Sequence, residues 1–234
     1  MQPDLKAVPR AILAILAILA ALMPLEEARA EIPISLELVL AVDTSISVDG
    51  YEFFLQMKGI ADAFRNPEII GLIGRQNGVA VTLFQWSGVV DESQMIPWFL
   101  LRGPASVMSF ATLVENTKRN PIRQFTGIGR AIDFGVRLIT ENDYAGQRMK
   151  IDISGDGTDN IGTLTEQTHR RAGELGIVVN GLPILTSSPA LDRYYRNYVI
   201  TGPGAFVEVA ADHDDIARAF LRKLRREISP SPMS

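Results

Sequence analysis

The run Leu36-Glu37-Leu38-Val39-Leu40-Ala41-Val42, ending in Asp43-Thr44-Ser45-Ile46-Ser47, constrains this chain more than any other feature. Its apolar residues are nearly continuous, the pattern of a strand buried on both faces of a parallel sheet. The polar pentad puts one carboxylate and two hydroxyls on the loop at the strand's carboxyl end, where ligands bind in open α/β sheets. Hard oxygen donors of this kind suit a small cation such as Mg²⁺ and suit zinc or copper poorly.

Strand and helix patterns alternate from there. Asp49 with Glu52 three residues on predicts a capping box. The helix it opens carries Tyr51, Phe54, Leu55, Ile60, Ala61 and Phe64 on one face and ends at Asn66-Pro67. Ile69 to Ile73 is apolar without an assignable period. Further strands are predicted over 78–86, 95–101, 149–153 and 177–185, with a sixth around Ala205-Phe206-Val207. Pro97 puts the 95–101 strand at an edge. Helices are predicted over 104–117, from Thr126 with Ile128, Ala131, Ile132, Val136 and Ile139 on one face, over 165–175 before Gly176, and over 212–227. This order predicts a doubly wound α/β fold, a mostly parallel six-stranded sheet with helices on both faces. Right-handed crossovers would bring the loops after the strands to one edge, and with them Asp43, Thr126 and Asp156.

The first thirty residues are a separate object. Lys6 and Arg10 precede thirteen unbroken apolar residues, Ala11 to Met23, and Ala28-Arg29-Ala30 offers small residues at the positions a signal peptidase reads. Thirteen residues fall short of the roughly 18 to 20 that a spanning helix needs. Residues 1–30 are therefore expected to be a signal peptide, 31–228 one domain and 229–234 a disordered tail, in a chain exported to a bacterial periplasm or secreted. An uncleaved anchor is the alternative. The absence of Cys excludes thiolate nucleophiles, iron–sulfur clusters and Cys-based zinc sites. A net charge of −4 gives no reason to expect nucleic acid or an anionic membrane surface as partner.

Asp-x-Ser-x-Ser after the first strand, Thr126-Gly127 opening a helix and Ile153-Ser154-Gly155-Asp156-Gly157 after a later strand together resemble the von Willebrand factor type A domain. The resemblance spans roughly residues 34–228 and extends to exported bacterial members of that superfamily. It implies a metal-ion-dependent adhesion site in which Ser45, Ser47 and Thr126 ligate Mg²⁺ or Mn²⁺ through hydroxyls. Asp43 and Asp156 match its acidic positions, often bridged to the metal by water. It further implies a protein partner whose acidic side chain completes the coordination. The Gly between Ser154 and Asp156 departs from the pattern of many relatives.

Blander roles stand beside these. Asp43 and Ser47 are also good helix caps, and Thr126 is an ordinary N-cap residue. Asp159 and Asn160 read first as turn formers, and Trp86 as a core residue rather than a ligand contact. The enzymatic alternative is a metal-dependent phosphatase-like hydrolase with Asp43 as nucleophile. The acid–base Asp expected two residues on is replaced by Ser45, so no catalytic residue is assigned. A structural domain with a vacant site is a third alternative. His169 and His213 are expected to be solvated, as is the basic run Arg218, Arg222, Lys223, Arg225, Arg226 near a helix C-terminus. Partner identity and oligomeric state are not written in the sequence.

Overall fold

A computed structural model describes residues 31–88, 90–120, 125–163, 166–186 and 188–229. The expected signal peptide lies outside the described residues, as does the expected tail beyond Ser229. The chain runs β1 (Ile32–Ile34), β2 (Leu36–Asp43), α1 (Gly50–Arg65), α2 (Pro67–Gly74), β3 (Val79–Trp86), β4 (Val90–Leu101) and α3 (Pro104–Glu115). It continues through α4 (Ile128–Thr140), β5 (Tyr144–Gly146), β6 (Met149–Gly155), α5 (Glu166–Glu174), β7 (Ile177–Pro183) and α6 (Leu191–Tyr194). A π-helical turn (Tyr195–Val199), a 3₁₀ turn (His213–Asp215) and α7 (Ile216–Ile228) complete it.

The main sheet has five strands in the order β4-β3-β2-β6-β7, all parallel except β4. Every residue of β2 and β3 is buried, as their continuous apolar pattern requires. Leu36, Leu38, Leu40 and Val42 face one core, shared with residues of α1, α2, α3 and α7. Val39 and Ala41 face the other, built with Ile128, Ala131, Ile132, Val136 and Ile139 of α4, Ala172 of α5 and Tyr195. The predicted α4 face is thus the buried one.

Asp49 caps α1 as its spacing predicts, accepting from the Tyr51 and Glu52 amides at 2.8 Å while Glu52 accepts from the Asp49 amide at 2.7 Å. The buried stripe of α1 keeps the expected Ile60, Ala61 and Phe64 but departs from the expectation in its first half. Phe53, Met57, Ile60 and Phe64 point inward, whereas Tyr51 and Phe54 are more than half exposed and stack on each other. The unassigned stretch after Pro67 is a helix, with Asn66 accepting from the Glu68 amide at 2.9 Å and Pro67 in its first turn.

The expected sixth strand is a correction. Residues 201–210 pair with β7 and the residue after it through isolated bridges rather than a continuous ladder, Gly181 with Val207 and Ile184 with Ala210 in parallel and Val179 with Thr201 antiparallel. Gly202 and Gly204 sit at φ 96° and 73°, which turns the chain out of extended geometry on either side of Pro203. β1 and β5 form a small parallel pair that the sequence patterns did not indicate.

The basic run is a second correction. Lys223 is fully buried, 2.7 Å from Asp152 Oδ1 and 2.5 Å from Glu227 Oε1. Its position, three residues after Phe220 and one before Leu224, puts it on the apolar stripe of α7 rather than on the solvent face. Among the described residues no helix is long and apolar enough to cross a membrane.

Candidate metal centre

The topology fixes where the loops meet. Val42 pairs with Ser154 across the central strands β2 and β6, so Asp43 and Gly155 end adjacent strands side by side. From β2 the chain leaves toward α1 on one face, and from β6 toward α5 on the other. That divergence opens a crevice at the switch point of the sheet.

Three loops bring the predicted residues together there. Asp43 is fully buried, and its Oδ1 accepts from the Ser45 amide at 2.7 Å. Ser45 and Ser47 hydroxyls lie 3.2 Å apart, and Ser47 Oγ donates to Asp156 Oδ1 at 2.7 Å, joining the first loop to the third. Thr126 is buried at the start of the α4 loop. Its amide donates to Asn160 Oδ1 at 2.8 Å, and its carbonyl accepts from the Asn160 amide at 3.0 Å. Its Oγ1 faces the third loop, 3.4 Å from where a β-carbon on Gly157 would stand.

The electrostatics are those of a site short of positive charge. Asp43 Oδ2 is buried and has no hydrogen-bond partner. Burial, with a smaller contribution from the Asp156 carboxylate, pushes the Asp43 carboxyl up to about 7 against the opposing pull of the Ser45 amide. No three His, Cys, Asp or Glu converge anywhere among the described residues, so the donor set here is hydroxyl-rich with two carboxylates. Such a set fits a hard divalent cation and offers little to a soft one.

Side chains not singled out from the sequence hold these loops. Arg119 donates to the carbonyls of Thr44, Ser45 and Val48, pinning the pentad's backbone. Asn160, taken as a turn former, clamps Thr126 as described. Tyr195 is fully buried, with its hydroxyl 3.1 Å from where a Gly155 β-carbon would stand. Arg119 and Tyr195 fall in stretches with no helix or strand period, so only the long-range fold reveals them.

The Gly that departs from the common pattern has a steric cause. A β-carbon on Gly155 would lie 2.8 Å from Asp43 Oδ2 and 3.1 Å from Asp43 Cβ. Asp159 accepts from the Gly129 amide at 3.2 Å and from the Thr163 amide and hydroxyl at 3.0 and 2.6 Å, the behaviour of a turn residue. Trp86 is buried in the core. His169, expected in solvent, is half-buried, and burial lowers its pKa.

Residues 33–232 match the family described as "Protein of unknown function (DUF1194)". No curated protein is similar to the chain in sequence. Among solved structures, proximal thread matrix protein 1 from the mussel byssus is similar with a TM-score of 0.58 at 12% identity, over 85% of this chain and 47% of that one. A form of the same protein with a zinc-occupied MIDAS motif gives 0.54 at 16% identity, over 83% and 48%. The pilus adhesin SpaC of Lactobacillus rhamnosus GG gives 0.57 at 12%, over 83% and 30%. A von Willebrand factor type A protein from Catenulispora acidiphila gives 0.55 at 14%, over 83% and 42%. The chain spans about half or less of the length of these structures, and likeness at such identities is one of fold. With its parallel sheet, its helices on both faces and its three converging loops, the chain belongs to the DUF1194 family and has the fold of a von Willebrand factor type A domain.

Proposed function

We propose that Asp43, Ser45, Ser47, Thr126 and Asp156 bind one divalent cation, Mg²⁺ or Mn²⁺, and that the protein recognises an acidic side chain of a protein partner there. The observation that carries this is the convergence of three hydroxyls and two carboxylates from three loops around a buried carboxylate oxygen with no partner. A bound cation supplies Lewis acidity and a coordination position for the partner's carboxylate. The chain's own part is to present neutral oxygens. Ser47 spends its proton on Asp156 and accepts from Ser45, which leaves one lone pair for the cation. Asp43 and Asp156 compensate charge without quenching it, because hydroxyls fill the remaining places. Arg119 and Asn160 keep the loops in place before anything binds, which lowers the entropy cost of ordering them. The zinc-occupied motif of the mussel relative supports a divalent ion on this fold.

The proposal extends to the rest of the chain. Residues 1–30 act as an export signal removed after Ala30, residues 31–228 form the binding domain, and 229–234 are a tail, in a periplasmic or secreted protein. The compact unit holding the described residues begins at Glu31, in keeping with that boundary. The role is binding, without catalysis: Ser45 stands where a hydrolase would need its second acid.

Thermal unfolding of the purified protein in EDTA, Mg²⁺ and Mn²⁺ tests this, together with a pull-down from periplasmic extract with and without EDTA. Metal is expected to stabilise the fold, by about 2.7 kcal/mol at a concentration 100 times Kd. Asp43→Ala and Ser45→Ala should remove that gain, and EDTA should release the partner. A melting temperature indifferent to both ions would refute the site. Turnover of p-nitrophenyl phosphate that disappears in Asp43→Ala would put the hydrolase in its place.

A further inference from the structure

The other end of the sheet carries a cavity that the metal site does not use. It measures about 800 Å³ and lies where the start of β6, β7, the 203–206 turn and the last turn of α7 meet. Lys150, which lines it, precedes Gly155 by five residues, about 16 Å along the strand from the metal loops. Four cationic side chains line the cavity, Arg148, Lys150, Arg225 and Arg226, and among the described residues no carboxylate does. Phe206 and Val178 give it an apolar wall.

Basic residues at a helix C-terminus are ordinarily explained by the helix dipole. That accounts for Arg148, whose guanidinium donates to the carbonyls of Glu227, Ile228 and Ser229 and to Gln76 Oε1. It does not account for the donors left over. Lys150 Nζ makes one hydrogen bond, to the Glu227 carbonyl at 2.8 Å, and so keeps two N–H groups. Arg226 sits over the Phe206 ring, its Cζ 3.6 Å from the centroid, and has no carboxylate partner among the described residues. Arg225 is held by Glu68 at 2.6 Å on the rim. Glu227 faces inward to Lys223 and Asn180 and is not part of the lining. Burial lowers the Lys150 pKa to about 8, with Glu227 opposing and Arg148, Lys223 and Arg226 adding to it, so these cations are crowded and only partly offset by Glu227 and, at Arg225, by Glu68.

From this geometry we infer that the cavity binds a small organic anion, its phosphate or carboxylate head on Lys150 and Arg226 and its apolar body along Phe206 and Val178. The volume is that of a site for a small molecule rather than for a bare ion. Arg226, stacked on the ring and exposed at the mouth, presents a preformed fork to the head group. Recognition of this kind is independent of the metal loops.

Calorimetric titration of the purified protein in EDTA with phenyl phosphate, benzoate, inorganic phosphate and benzyl alcohol tests the inference. Phenyl phosphate or benzoate should bind, whichever is the better head group. Inorganic phosphate should bind more weakly, and benzyl alcohol should not bind. Lys150→Gln and Arg226→Gln should each weaken the preferred anion by about tenfold, the loss of one charge-assisted contact. Arg226 is exposed, so its variant keeps the test informative if Lys150→Gln does not fold. Asp43→Ala should bind the anion as the parent does, which separates this site from the metal centre. Absence of binding by all three anions at millimolar concentration would overturn the proposal, as would affinity unchanged in Arg226→Gln.

Discussion

At the scale of single residues, Gly155 and Gly157 flank Asp156 but do different things. Position 155 has no room for a methyl group, since Asp43 Oδ2 and the Tyr195 hydroxyl would stand 2.8 and 3.1 Å from it. Position 157 has room, with its nearest neighbour at 3.4 Å. Gly155→Ala should therefore cost about 1–3 kcal/mol in urea unfolding, as overpacking does, and weaken Mg²⁺ binding by displacing Asp43. Gly157→Ala should leave both nearly unchanged. The positions of the five proposed ligands were legible in the sequence because each sits at a strand end or helix start that local pattern identifies, while their role as ligands comes from the resemblance. Arg119 and Tyr195 were not, because nothing within a few residues of either predicts that it will reach the pentad.

At the scale of elements, the join between β6 and α7 is electrostatic. Lys223 and Glu227 on the helix meet Asp152 on the strand, while Lys150 reaches back to the Glu227 carbonyl. A buried pair of this kind is a weak source of stability but a costly one to break. Lys150 gives this join a pH signature. Its pKa is lowered in the fold from 10.5 to about 8, so between those values the unfolded chain binds more protons than the folded one. Stability must then rise with pH across that window as the penalty for charging the buried amine disappears. Urea unfolding of the parent and of Lys150→Met at several pH values should show the parent gaining on the variant from about pH 8 to pH 10.5. Equal pH dependence in the two proteins would contradict that. The helices were legible from period and caps, but phase was harder. The α7 pattern shows basic residues close together, and although its spacing from Phe220 and Leu224 places Lys223 on the apolar stripe, packing against Asp152 shows what a buried cation there is paired with. Likewise Tyr51 and Phe54 look like core, yet α1 buries Phe53 and Met57 instead.

At the scale of the molecule, the parallel sheet sends its loops to one end, and metal removal should be felt there. Hydrogen exchange with Mg²⁺ and with EDTA is expected to show faster exchange without metal at 43–49, 125–127 and 155–160. The start of β6 and the last turn of α7 should not change. A uniform response would instead mean that the ion acts on global stability alone. The layered α/β plan was legible because β2 and β3 are nearly continuously apolar, which suits a sheet covered on both faces. The strand count was not, since Phe206 and Val207 resemble strand residues while the glycines beside them decide otherwise.

The irregular 201–210 segment and Pro97 have one consequence in common. A sheet with bare sides invites other chains to add strands and polymerise. Here β7 is screened by a stretch too broken to serve as a template, and β4, on the far side, carries a proline that lacks the amide hydrogen a newcomer would need. Lateral association is thereby discouraged on both flanks.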